Sequence, residues 1–110
     1  MELYIGGYKQ GKLRYVLNKY PNAENRVFND FHLWIRKLMK NGEDVAAQTM
    51  EYIRKHPDCI IISDEIGSGI VPVDSFEREY RETVGRTLTM IAEQADRVER
   101  VICGLGQRIK

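Results

Sequence analysis

Apolar and polar positions along this chain change period several times, and each change marks an element. Leu3 to Ile5 continue an apolar, strand-like start at Glu2 that runs into two glycines, "LYIGGYKQGKL". The loop from Gly6 to Gly11 gives way at Lys12 to a helical stretch that Pro21 and Asn22 stop near Tyr20. "RVFND", Arg26 to Asp30, is a short apolar run closing on an acid. Phe31, Trp34, Ile35 and Leu38 then recur at i, i+3, i+4 and i+7, one face of a helix that Asn41 and Gly42 end. Glu43 to His56 form a further helix with Ala46, Met50 and Ile53 on its apolar side, and Pro57 follows.

"CIIIS", Cys59 to Ser63, shows no alternation and is rich in β-branched residues, as in a strand buried on both faces of a parallel sheet. The glycine-rich "DEIGSGIVP" leads into a long helix from about Asp74 to Ala95, striped by Tyr80, Val84, Leu88, Ile91 and Ala95. "VERVICG" reads as a strand and "QRIK" as a last short one. Strands alternating with helices predict an α/β sheet with helices packed on its faces.

Composition narrows the function classes. The 110 residues are 43% hydrophobic and 30% charged, as in one ordinary globular domain. A net charge of +1 supplies no field to draw nucleic acid or an anionic membrane. No signal peptide and no apolar run of membrane-spanning length is visible, so a cytoplasmic protein is expected. Cys59 and Cys103 both sit in apolar runs and are expected as small buried residues, without a disulfide or a metal. His32 and His56 show no ligand spacing.

Three loops leave the C-terminal ends of predicted strands, where open α/β sheets bind ligands. The first, Gly6, Gly7, Tyr8, Lys9, Gln10, Gly11, Lys12, Leu13, is almost a phosphate-binding loop. Its glycines would turn amides toward phosphate oxygens, the helix end would add positive potential, and Lys12 would reach the outer phosphates. Leu13 stands where a hydroxyl would ligand Mg²⁺. The second loop supplies Asp30, either as a helix N-cap or as the acid holding the magnesium shell. The third, from Asp64 to Pro72, carries two adjacent acids and a G-x-G spacing. It reads either as a tight connection into the long helix or as a site of close ligand approach.

"ISDEIGSGIVPVDSFEREYRETVGR" closely resembles the signature of the bifunctional adenosylcobinamide kinase/adenosylcobinamide-phosphate guanylyltransferases. In that family the signature precedes a helix with the pattern met here as Arg78, Tyr80, Arg81, Glu82, Gly85 and Arg86. "GGYKQGKL", "DFHLWIRKLMKNGED" and "ADRVERVICGLGQRIK" resemble the family's phosphate loop, its Asp-then-helix segment and its closing segment, in that order. The resemblance implies a shortened P-loop NTPase-like three-layer sandwich with a mostly parallel sheet. It also implies GTP or ATP with Mg²⁺, a corrinoid acceptor (adenosylcobinamide) and a homo-oligomer. Glu65 would line the acceptor side, beside Lys12 on the phosphates and Asp30 at the metal. The family's histidine-bearing segment after the phosphate-loop helix is represented here only by "PNAEN" or so, and His32 falls where the family has Thr. Guanylyl transfer is therefore not expected. Two readings remain, a nucleotide-binding kinase-like enzyme and a binding, regulatory or assembly module that keeps the fold alone.

Overall fold

The computed structural model describes residues 1–66 and 73–110. Five strands form one sheet in the order β2-β3-β1-β4-β5. The strands are β1 (Glu2–Gly6), β2 (Val27–Phe28), β3 (Ile60–Asp64), β4 (Arg97–Ile102) and β5 (Leu105–Arg108). All neighbours run parallel except β5, which turns back on β4 as a hairpin. The helices among the described residues are α1 (Lys12–Lys19), α2 (Phe31–Lys40), α3 (Val45–Lys55) and α4 (Ser75–Gln94).

Side chains alternate across the sheet and divide the core between its faces. Leu3, Ile61 and Val98 pack with Phe31, Ile35, Leu38, Tyr80, Val84 and Ile91, so α2, α3 and α4 cover one face. Tyr4, Ile60, Ile62 and Val101 pack with Val16 and Ala23, so α1 covers the other. Right-handed crossovers require this arrangement. The chain moves one way along the sheet from β1 to β2 over α1, and the other way from β3 to β4 over α4. The direction of travel therefore reverses at the β1–β3 pair, and a crevice opens beyond the C-terminal ends of these two strands.

The predicted elements and the α/β class match this fold within a residue or two at most ends. Two details differ. The buried face of α3 is Val45 and Thr49, with Tyr52 and Ile53 partly buried, whereas Ala46 and Met50 are exposed. Asp44 caps the helix by accepting the Ala47 N–H at 3.0 Å, which sets the rotation that turns Val45 inward. Cys59 is buried as expected, but Cys103 is exposed. It occupies the tight β4–β5 turn at φ 52°, followed by Gly104 at φ 75°, so the strand ends before the thiol can point into the core.

Close packing fixes where the first loop begins. A Cβ on Gly6 would run into the carbonyl oxygen of Val101, so only glycine lets β1 lie against β4 at this point.

Candidate functional site

β1 ends at Gly6 and β3 ends at Asp64, and these two residues are register partners in adjacent strands. The loop after Gly6 reverses through Lys9 at φ 56° and Gly11 at φ 84°, then enters α1 at Lys12. That path folds the Lys12 side chain back across its own loop. Lys12 is 8% exposed, and its ammonium donates to the Gly7 carbonyl at 2.7 Å and to Asp64 Oδ1 at 2.6 Å. An ammonium this enclosed requires polar partners, and here an anion and a carbonyl are both in contact.

Asp30 comes from the end of β2. It occupies the N-cap position of α2, in the left-handed region at φ 56°, yet its side chain accepts no capping hydrogen bond. Its carboxylate is exposed. The cap reading of Asp30 therefore holds for position only, and the carboxylate remains available to the crevice.

A cleft of about 530 Å³ lies between these groups, with Lys12, Asp64, Asp30, Asn29 and His32 in its wall. Tyr8, Leu13 and Leu33 line it as well, and all three are exposed large apolar side chains. Leu13 is 38% exposed, so its bulk does not fill the space before Lys12. The loop residues Lys9, Gln10 and Gly11, with Arg14 from α1, complete that wall; Gly6, the last residue of β1, and Gly7 are not part of it.

Glu65 takes a different position. Its N–H donates to the Gly6 carbonyl at 2.7 Å, which ties it to the start of the loop. Its carboxylate accepts from Arg100 on β4 at 3.0 Å and does not line the Lys12 cleft. The glycine-rich segment that follows it, Gly67 to Pro72, lies outside the described residues.

Two residues of the cleft are given no role by the sequence reading: Asp64, taken only as one of the third loop's two adjacent acids, and His32, taken as lacking ligand spacing. Asp64 closes β3 where the apolar run had been ended at Ser63; a polar residue finishing a buried parallel strand is the signal that would have marked it. His32 sits in the first turn of α2, buried beside the Phe31–Ile35–Leu38 stripe. Its Nδ1 accepts the Asp64 backbone N–H at 3.1 Å, so the ring proton belongs on Nε2, which lies 3.4 Å from Asp64 Oδ2. Burial pushes the imidazole below its usual range, with the Lys12 charge adding to the effect and the Asp64 and Asp30 carboxylates opposing it. A neutral His32 thus buttresses Asp64 from behind while Lys12 holds it in front.

The loop is also anchored from the far end of the chain. Gln10 accepts the Cys103 N–H through Oε1 at 2.7 Å and the Gly104 N–H through its carbonyl at 2.8 Å.

A crevice at the switch point, an enclosed lysine after a glycine turn and two acids at strand ends are what a phosphate-handling α/β domain requires. Comparison with known proteins agrees. The family described as cobinamide kinase / cobinamide phosphate guanyltransferase (CobU) matches residues 5–109. The chain belongs to this family. The bifunctional adenosylcobalamin biosynthesis protein CobU of Salmonella typhimurium strain LT2 is 37% identical over 84 residues, covering 74% of this chain and 46% of that protein. The protein of the same description from Escherichia coli K12 is 35% identical over 51 residues, covering 46% of this chain and 28% of that protein. The chain thus spans less than half the length of these CobU relatives.

Among the described residues no helix is long and apolar enough to cross a membrane, and no group of three or more His, Cys, Asp or Glu side chains is placed to hold a metal by itself.

Proposed function

We propose that this CobU-family chain binds a nucleoside triphosphate, GTP or ATP, in the cleft at Lys12, and that the chemistry it supports is phosphoryl transfer to a corrinoid hydroxyl in cobalamin biosynthesis. The observation that carries this reading is the meeting of Lys12, Asp64 and Asp30 around one cleft at the C-terminal edge of the sheet. Phosphoryl transfer needs little covalent chemistry from the protein; it needs positioning and neutralised charge. Lys12 would leave Asp64 for the outer phosphates, and the amides of the Gly7–Gly11 turn would face phosphate oxygens.

Mg²⁺ suits the remaining donors. It keeps most of its waters and takes one or two carboxylates together with substrate phosphates. Asp30, unspent as a cap, and Asp64 supply those carboxylates, while Leu13 contributes nothing in place of a hydroxyl. When bound, the ion would neutralise charge between the outer phosphates. Glu65, held by Arg100, would border the acceptor rather than the metal.

Guanylyl transfer through a histidine is not supported. A nucleophilic imidazole needs a free lone pair facing the phosphorus. The Nδ1 lone pair of His32 is spent on the Asp64 N–H; His56 donates its Nδ1–H to the Tyr52 carbonyl at 3.0 Å and keeps an Nε2 lone pair, but it stands at the C-terminal end of α3 and not in the cleft wall. That position precedes β3, at the opposite edge of the sheet from the cleft.

Leu13 favours a second reading, a module that binds the nucleotide without turning it over. Calorimetry with GTP and ATP, with and without Mg²⁺, separates the two. Magnesium-dependent binding that Lys12→Ala weakens about 100-fold, a loss of about 2.7 kcal/mol, together with phosphorylation of adenosylcobinamide, is expected for the enzyme. Binding indifferent to magnesium with no turnover supports the binding module, and no binding refutes the nucleotide site and leaves only a regulatory or assembly module that keeps the fold. Self-association is proposed as well, through the β5 edge with its exposed Leu105 and Ile109. Sedimentation of a monomer at all concentrations would refute it.

A further inference from the structure

A second cleft, of about 710 Å³, lies on the flank of α1 that faces the β4–β5 turn. Lys9 and Arg14 stand between it and the Lys12 cleft and line both. Lys19, Arg97, Asn18 and Cys103 line this one and not the other. The larger cleft is therefore a separate space reached from the same loop.

Its chemistry is one-sided. Four cations line it, and among the described residues the one carboxylate bonded to any of them is Glu99, 2% exposed beneath Lys19 and Arg97. Glu99 is engaged elsewhere: one oxygen accepts from Tyr15 at 2.5 Å and the other from Lys19 and Arg97, and neither is bonded to Lys9 or Arg14. Among the described residues neither Lys9 nor Arg14 has an ion-pair partner, and the Lys9 ammonium lies over the Tyr8 ring. The Gln10 amide is oriented because its Oε1 is held by the Cys103 N–H, which leaves the NH₂ hydrogens unspent, and the Asn18 amide is likewise uncommitted. Unspent cations and amide donors gathered in one concave space make a receptor for a multiply charged anion.

We propose that this α1-flank cleft is a second anion site, which takes a small ligand carrying two or more phosphate groups on Lys9 and Arg14 and binds it without Lys12. Lys9, Gln10, Gly11 and Arg14 line both clefts, but the site does not rest on the kinase reading, because Asn18, Lys19, Arg97 and Cys103 belong to this cleft alone and Lys12, Asp30 and Asp64 to the other. It does touch Gln10 and the Cys103–Gly104 turn that anchors the phosphate loop, so occupancy there bears on the loop's position.

Cys103 provides a local reporter, since it is exposed in the cleft wall while Cys59 is buried. The rate of Cys103 alkylation by iodoacetamide, a neutral reagent, is measured against tripolyphosphate, with potassium chloride at matched ionic strength as control. Saturable slowing of at least fivefold is expected in the wild-type chain and in Lys12→Gln. The Lys9→Ala/Arg14→Ala double variant is expected to need at least tenfold more tripolyphosphate, and Asn18→Leu, which alters only this cleft, severalfold more. Continued protection of Cys59 verifies that each variant is folded; a variant that labels at Cys59 is replaced by Lys9→Gln or Arg14→Gln. The proposal is overturned if tripolyphosphate leaves the Cys103 rate unchanged, if potassium chloride slows it equally, or if Lys12→Gln abolishes the protection.

Discussion

Lys12 and Asp64, 52 positions apart in the chain, form an ion pair at 2.6 Å across the crevice where the sheet reverses direction. A phosphate entering the loop has to take the ammonium from the carboxylate. The pair therefore sets a threshold for binding as well as supplying the charge that does it.

Asp64→Asn should lower that threshold. The variant keeps an acceptor for Lys12 and removes the competing charge. Magnesium-free tripolyphosphate binding, measured by calorimetry, is expected to tighten about tenfold, or about 1.4 kcal/mol. The magnesium dependence of ATP binding should fall in the same variant. Unchanged affinity without magnesium would show that Asp64 does not compete for Lys12.

His32 predicts a pH dependence on the acid side of neutrality. Burial holds its imidazole below the ordinary value near 6.5, with Lys12 acting in the same direction against Asp64 and Asp30. The unfolded chain therefore takes up the proton first as pH falls. The resulting stability is complete above the unfolded value and is lost as pH drops from about 6.5 toward the folded value. Chemical denaturation at pH 7.5 and at pH 5.5 should show the loss, and His32→Gln should flatten this part of the profile. An identical slope in wild type and variant would sink the assignment.

Glu99 predicts a second, more acidic transition. Burial pushes its carboxyl up, but hydrogen bonds from Lys19, Tyr15 and Arg97 outweigh burial and hold it at about 2. Because the folded value lies below the unfolded one, this stability is present above about pH 4.5 and disappears as pH falls toward 2. The contribution is on the order of 3 kcal/mol. Glu99→Gln should lose most of it at pH 7 and show a shallower acid melt by circular dichroism.

Gly6 predicts a steric limit. Alanine there would press its methyl against the Val101 carbonyl, a backbone atom that cannot rotate away. Gly6→Ala should cost about 2 to 4 kcal/mol in denaturant unfolding and displace the phosphate loop. Gly42→Ala is the comparison. Unlike Gly6 it has positive φ, at 68°, but nothing lies within 4 Å of its added methyl, so its smaller loss would be conformational alone.

The elements were legible because their signals are local. A β-branched run without alternation marked β3, and i, i+3, i+4 spacing marked α2 and α4. Seven of the residues read as a site, Tyr8 to Leu13 and Asp30, line one cleft because strand ends in a parallel sheet share an edge. What stayed hidden was the pairing across the crevice. Asp64 and Glu65 are adjacent acids, and sequence alone does not say which faces Lys12. The strand pleat decides it, turning Asp64 to the lysine and Glu65 to Arg100. Cys103 was misplaced for a similar reason, since an apolar run does not reveal the residue at which a hairpin turns.

The bonds from Cys103 and Gly104 to Gln10 reach across 93 positions of sequence for the side-chain contact. They make the closing hairpin a splint for the glycine turn near the other terminus. Evolution, or a protein engineer, would therefore have a remote handle on the proposed nucleotide affinity: remodelling that hairpin would retune the cradle while every residue inside it stays the same.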